Sequence, residues 1–154
     1  MKIYAENKKV KFDYDILATY EAGLVLLGHE VKSIKTGHIS LKGAFVVLKQ
    51  VKNKNLPEVY LINCFIPAYK NAGKLENYNP EQSRKILIKS SEIKQLIGKI
   101  QEKGLTLVPI KVYNKHKLIK LEFGIGRGKK KIDKRETIKK RYISRKLQRI
   151  KKQY

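Results

Sequence analysis

The chain has 154 residues, 36 of them Lys or Arg and 13 Asp or Glu, for a formal net charge of +23 at pH 7. That length is about one domain, its 42 % apolar content suffices for a core, and its charge points to phosphate backbones or an anionic surface. A spanning helix is excluded, since no apolar run approaches ~20 residues, and the single cysteine, Cys64, rules out an internal disulfide and fits a reducing cytosol.

Residues Met1 to Glu6 carry no apolar signal region, so the expected location is cytoplasmic, without a membrane partner. Asn7, Lys8, Lys9 and Lys11 form a short basic arm, which either grips a nucleic-acid backbone or is simply solvated. From Tyr14 to Leu27 the chain alternates: Tyr14, Ile16, Ala18, Tyr20, Ala22, Leu24 and Leu26 share one face, as in a long half-buried strand. Gly23 inside it predicts a bulge or bend. Glu21, beside it on the more polar face, has no second carboxylate or His at a telling spacing, so a structural hydrogen-bonding role is favoured over catalysis.

Residues 29–35 predict one or two helical turns with Val31 and Ile34 inward and Gly37 as the stop. Residues 43–51 and 58–66 predict a hairpin around the polar turn 52–55. The stretch 69–83 has no period and reads as an exposed loop, with Arg84 and Lys85 forming a basic rim at its mouth. Ser90 or Ser91 is the expected N-cap of the best helix, which carries Ile93, Leu96, Ile97 and Ile100 on one stripe and ends before Gly104. Residues 105–113 and 117–125 predict a second hairpin around Asn114-Lys115-His116. Five strands, two helices and no βαβ alternation indicate a mainly β, α+β fold: a small antiparallel barrel with flanking helices.

The last stretch is a different electrostatic object. Residues 127–154 hold 14 basic and 2 acidic side chains, so about half of the net charge lies there. The expected division is a folded body, 1–126, and a basic tail, 127–154. Asp133 and Glu136 have capping-box spacing with Asp133 as N-cap, and Ile143, Leu147, Ile150 and Tyr154 would make one narrow apolar stripe. Against a free helix stand the like-charge pairs Arg141–Arg145, Arg145–Arg149, Lys146–Arg149 and Arg149–Lys152, each costing roughly 0.2–0.5 kcal/mol. The tail is expected to be disordered when free and helical once phosphates neutralise it.

Other constellations are weaker. His29, His38 and His116 are scattered, so no metal site is expected. The run Gly124-Ile-Gly126-Arg-Gly128-Lys129 lacks the spacing of a phosphate loop. Tyr20, Tyr69, Tyr78 and Tyr113 are candidates for stacking on bases or for core filling.

Four segments in order, TYEAGLVLLGHEVKS (19–33), RKIL (84–87), GLTLVPI (104–110) and GKKKIDKR (128–135), together resemble the small protein B family, the SsrA-binding proteins of bacterial trans-translation. The resemblance covers nearly the whole chain. It implies an oligonucleotide-binding-type (OB-like) barrel that holds the tRNA-like domain of transfer-messenger RNA and enters the A site of a stalled ribosome. It further implies a tail lying in the vacant mRNA channel, helical there. By family position Asn7, Lys8, Glu21 and Leu87 are the RNA-binding set, which Lys9, Arg84 and Lys85 extend. Gly128, Asp133, Lys134 and Arg135, with Lys129 and Lys130, are the tail's functional set. Ile132 stands where many members have His, Phe65 replaces another common His, 79–83 is less basic than usual, and Gly43-Ala44 replaces a frequent Asp-Ser. The expected protein is a monomeric, non-enzymatic RNA carrier without cofactor or metal. The competing reading is a general structured-RNA-binding or ribosomal protein with a nonspecific basic tail; an RNA-processing enzyme using Asp13, Asp15 or Glu21 is a distant third.

Overall fold

The alternation at residues 14–24 is realised as a strand whose even-numbered side chains turn inward and whose odd-numbered ones are exposed up to Glu21. It is the second of seven in a computed structural model that describes residues 1–153. In order the elements are β1 (Lys2–Glu6), α1 (Val10–Asp13), β2 (Tyr14–Leu24), α2 (Gly28–Lys35), β3 (Phe45–Lys49) and β4 (Glu58–Ile62). A single 3-10 turn (Lys70–Ala72) precedes β5 (Arg84–Leu87), α3 (Ser90–Ile100), β6 (Leu105–Lys115), β7 (Leu118–Gly128) and α4 (Lys131–Gln153).

All strand pairings are antiparallel, in the order β1-β6-β3-β4-β5-β2-β7, and β6–β7 pairing closes the ring. The ring is not a regular barrel, because β3 meets β6 through one pair, Val46 with Leu107. Its interior holds Val46, Val59, Leu61, Ile86, Leu107, Val112, Leu121, Phe123 and Ile125, with Ile34 of α2 and Leu96 of α3 added from outside. Each large apolar side chain so buried contributes about 1.5–3 kcal/mol.

Several expectations need correction. β1 and β5 are strands that single short apolar runs do not announce, which raises the expected five to seven. The bulge in β2 falls between Ile16 and Ala18, not at Gly23, which pairs regularly with Lys120 and Leu87. β4 stops at Ile62 because Asn63 takes a positive φ of 57°; only Phe65 returns to a bridge, with Ser40. The last hairpin turns at His116-Lys117, both with positive φ, as a two-residue turn of the twisted kind requires. Ser90 is the first helical residue of α3 and Lys89 its cap; the Lys89 amide donates to Glu92 at 3.3 Å. β7 runs through Gly128, which pairs with Tyr14, so the ladder of the body continues past residue 126.

Gly124 and Gly126 are explained here by packing. A Cβ on Gly124 would sit 3.0 Å from the Ala18 carbonyl, and one on Gly126 3.0 Å from Tyr14 Cβ. The glycines let β2 and β7 approach closely.

Candidate nucleic-acid interface

Strand register assembles one outer face from four distant segments. Glu6, Lys111, Glu122 and Glu21 form a row across β1, β6, β7 and β2. Two residues along β6, β7 and β2 lies a second row on the same side: Ile3, Tyr113, Lys120, Gly23 and, on β5, Leu87. The row between them, Ala5, Val112, Leu121 and Ala22, packs into the core.

Glu21 is exposed and accepts hydrogen bonds from the Tyr113 hydroxyl and from Lys115 Nζ, the latter 3.0 Å from each carboxylate oxygen. The Tyr113 bond and then Lys115 hold its carboxyl below the usual range. Burial, followed by the Glu21 bond, pushes the Tyr113 phenol up. Lys111 pairs with Glu122 at 3.1 Å and places its ammonium 5.4 Å from the Tyr113 ring centroid. Glu21 and Glu122 therefore orient lysines rather than present free negative charge. Beside them an open groove of about 350 Å³ has Gly23, Leu24, Leu26, Leu87 and Leu118 among its apolar walls and Lys35, Lys117 and Lys120 on its rim. Leu87 is 54 % exposed. The structure thus brings Glu21 and Leu87 together and adds Tyr113, Lys115 and Lys120, which sequence spacing does not connect.

Asn7 lies where β6 lacks a strand on one edge, between the β3 pairing at Leu107 and the β1 pairing from Lys111. Its backbone N–H donates to Ile110 O at 2.7 Å and its side-chain amide to Pro109 O at 3.3 Å. Asn7 satisfies carbonyls that no strand covers. Lys8 and Lys9 stay exposed beside it.

Arg84 is not a rim residue. It is 2 % exposed, with Nε and Nη2 donating to Glu30 Oε1 at 2.9 and 2.7 Å, Nη2 to Pro80 O at 2.9 Å, and Nη1 to Cys64 O. Gln82 Nε2 also donates to Glu30 at 3.0 Å, and the Tyr78 hydroxyl lies 3.0 Å from Glu30 and 2.7 Å from Ile66 O. Burial, reinforced by Glu30, pushes the Tyr78 phenol up to about 12, and burial pushes the Cys64 thiol to about 12. The supposed free loop 69–83 is thus pinned at its second half to α2 and β5. Local sequence cannot reveal this, because Glu30 and Arg84 are 54 residues apart. Lys85, the next residue, does face outward and pairs with Glu58 at 3.0 Å. Lys54, then Tyr60 and Lys85, hold the Glu58 carboxyl at about 2.

The tail leaves the body through a tethered root. Lys129 N–H donates to Asp13 O at 2.9 Å, Lys129 Nζ to Lys11 O at 2.9 Å, and Lys134 Nζ pairs with Asp13 at 3.1 Å. The Phe12 ring lies beneath Lys134 Nζ, 5.9 Å from its centroid, and the Arg141 guanidinium, 5.7 Å away. Asp133 is not the N-cap: the Lys130 amide donates to it at 3.3 Å, three residues before it. α4 buries none of its residues, and Ile143, Leu147 and Ile150 lie open along it; Tyr154, the fourth member of the expected stripe, lies outside the described residues. Gly128, Lys129 and Lys130 form the junction, and Arg135 is exposed on the first turns. Phe12 was missed by sequence reading, since a single aromatic in a basic arm has no periodicity. Phe12→Ala removes two cation–ring contacts worth about 0.5–1 kcal/mol each at exposed sites. The expected result is faster hydrogen exchange at the Lys129 and Lys134 amides with unchanged exchange in the β6–β7 core.

Among the described residues no three His, Cys, Asp or Glu side chains gather as a metal site, and no helix is long and apolar enough to cross a membrane. Asp13 and Asp15 both lie near lysines of the tail root.

A ring of antiparallel strands with flanking helices, an outer face where glutamates hold lysines beside an apolar groove, and a cationic terminal helix defines a class: an α+β nucleic-acid-binding protein of the OB-like kind. Comparison with known proteins narrows it. The family model for SmpB protein matches residues 4–153, and the chain belongs to that family. The SsrA-binding protein of Thermosipho africanus is 48 % identical over 148 residues, covering 96 % of this chain and 95 % of that one. The SsrA-binding protein of Trichodesmium erythraeum is 42 % identical over 153 residues, 99 % of this chain and 94 % of that one. A chain of a solved structure described as "tmRNA-SmpB: a journey to the center of the bacterial ribosome" superposes with a TM-score of 0.63 at 39 % identity, covering 86 % of this chain and 92 % of that chain.

Proposed function

We propose that this protein is a non-enzymatic RNA carrier that binds the tRNA-like domain of transfer-messenger RNA and takes it to the A site of stalled ribosomes for trans-translation in the cytoplasm. The observation that carries the reading is the outer face, where Glu21 aligns Lys115 beside Lys120, Leu87 and an open apolar groove. Relatives called SsrA-binding proteins match over nearly their full length, which supports the same partner here. Of the carboxylates that an enzymatic reading would need, Glu21 is engaged with Tyr113 and Lys115, and Asp13 with Lys134.

We further propose a division of labour. The body recognises the RNA through Lys8, Lys9, Glu21, Lys85 and Leu87, with Asn7 holding the backbone beneath them, and Arg84 stabilises the frame. The tail, carrying Lys129, Lys130, Asp133, Lys134 and Arg135, enters the mRNA channel, where phosphates neutralise its like charges and consolidate the helix.

The test is a competition gel shift of transfer-messenger RNA against bulk tRNA at moderate salt. Preference for transfer-messenger RNA that survives added salt is the expected result; equal affinity for any structured RNA supports the general RNA-binding alternative and sinks this one. A finer expectation concerns Lys120. Each phosphate neutralised adds roughly 0.7–0.9 to the slope of log affinity against log salt, so Lys120→Ala lowers that slope by about that amount in a filter-binding salt titration.

A further inference from the structure

The four tyrosines that stacking on RNA would first suggest are largely engaged. Tyr20 stacks on Phe123 at 5.6 Å, Tyr78 belongs to the Glu30 network, Tyr113 is 2 % exposed, and Tyr69 lies half-buried under the Lys32 ammonium. Phe45, at the start of β3, is 38 % exposed and lines a groove near the ring's weak seam. That groove, about 430 Å³, opens where β6 has no strand partner between β3 and β1. Such a volume falls within the ~300–1,000 Å³ range of small-ligand sites and is large enough for a nucleoside. Its floor includes Val108, and Lys8, Lys9 and Lys42 stand exposed on its walls. Of the two carboxylates that also line it, Asp13 is paired with Lys134 at 3.1 Å, leaving Glu6 against three lysines. Asn7 spends its side-chain N–H on Pro109 O, which leaves its amide oxygen as an acceptor in the groove wall.

An exposed aromatic ring over an apolar floor, with cations to either side, is the arrangement that takes an unstacked base and its flanking phosphates. We propose that this seam groove is a nucleotide-binding subsite in which Phe45 stacks on an unpaired base of RNA while Lys8, Lys9 and Lys42 meet the phosphates. The occupant is a nucleotide of the tRNA-like domain, because Asn7 directly follows Glu6, the end of the Glu21 row, so the groove continues that face around the edge of β1. The inference rests on the RNA-binding reading above and adds a stacking site to it.

The chain contains no tryptophan, so Phe45→Trp installs a unique fluorophore at the site. Titration with the in vitro transcribed tRNA-like domain is expected to quench and shift its emission. Phe45→Ala is expected to weaken binding of that domain roughly 5- to 150-fold, the equivalent of the usual stacking gain per base, and Phe45→Tyr to restore it. Binding that persists with unchanged tryptophan emission overturns the subsite, as does emission that responds only to isolated small ribosomal subunits. Wild-type affinity in Phe45→Ala overturns it equally. In each of those cases a loss of binding in Leu87→Ala leaves the carrier function standing, whereas failure of the wild-type chain to prefer the tRNA-like domain removes both. If circular dichroism shows Phe45→Ala unfolded, the tryptophan titration and Lys42→Ala, expected to lower the salt slope by roughly 0.7–0.9, decide the matter.

Discussion

Truncation after Lys130 leaves the affinity for the tRNA-like domain within a few-fold of wild type and reduces tagging of stalled nascent chains to background. The cut is placed there because β7 runs through Gly128, whose partner is Tyr14, and the Lys129 amide is bonded to Asp13. A cut at 126 would remove the end of a strand and confuse folding with function. Among the described residues none beyond Lys130 is buried, so the body keeps its core and its outer rows. The measurements are a gel shift with the tRNA-like domain and a reconstituted translation assay for tagging. Equal loss of both activities would refute the two-part reading. The excised segment 131–153 should show weak helicity by circular dichroism in low salt, rising when RNA is added, since its like-charge neighbours oppose an isolated helix.

Glu30→Gln is the substitution with the largest expected effect on stability. It leaves the Arg84 guanidinium in a site where both partners are 1 % exposed, with its charge uncompensated. Removing one member of a buried pair costs about 3–5 kcal/mol, a large share of the roughly 5–15 kcal/mol that a domain of this size has. Urea denaturation should show a clear fall in midpoint. Glu58→Gln, which alters a partly exposed pair, should move it little. The same network predicts sensitivity to acid. Burial raises the Glu30 carboxyl, but the Leu27 amide and Arg84 more than offset it, so the folded value lies below the ordinary carboxylate one. A depressed folded value means that stability is fully present above the unfolded carboxylate range and is lost as pH falls through the folded value. Wild-type stability should therefore decline below about pH 4, where free glutamate titrates. Glu30→Gln should lack this component of the decline.

How much of this was legible in advance follows from how far apart the contributing residues are. The alternation from Tyr14 and the three-four spacing of Ile93, Leu96, Ile97 and Ile100 are local patterns, and both are realised, although the strand ends at Leu24 rather than at the expected Leu27. The concentration of positive charge after residue 127 is likewise a property of composition. Sequence and structure part where a residue's role depends on a distant partner. Arg84 looked like a surface cation until Glu30, Tyr78 and Pro80 enclosed it. Gly23, where a glycine within a strand predicts a bulge, sits in regular pairing, and Leu17 absorbs the extra residue of β2. The cap of α4 shifted by three residues because Asp133 serves as well at the third helical position, bonding back to the Lys130 amide, as at the cap itself.

Sequence alone determined the fold class, the electrostatic split between body and tail, and the family resemblance, because period, charge and contiguous motifs survive without coordinates. Only the tertiary structure decided which residues share the outer face, that Asn7 fills a gap in the β6 edge, that Phe12 anchors the tail and that Phe45 lies open beside three lysines. The physical reason is that strand register sets neighbours across four or five strands at once. A shift of one residue in the β2–β7 pairing would send Glu21 and Lys120 to opposite sides of the sheet.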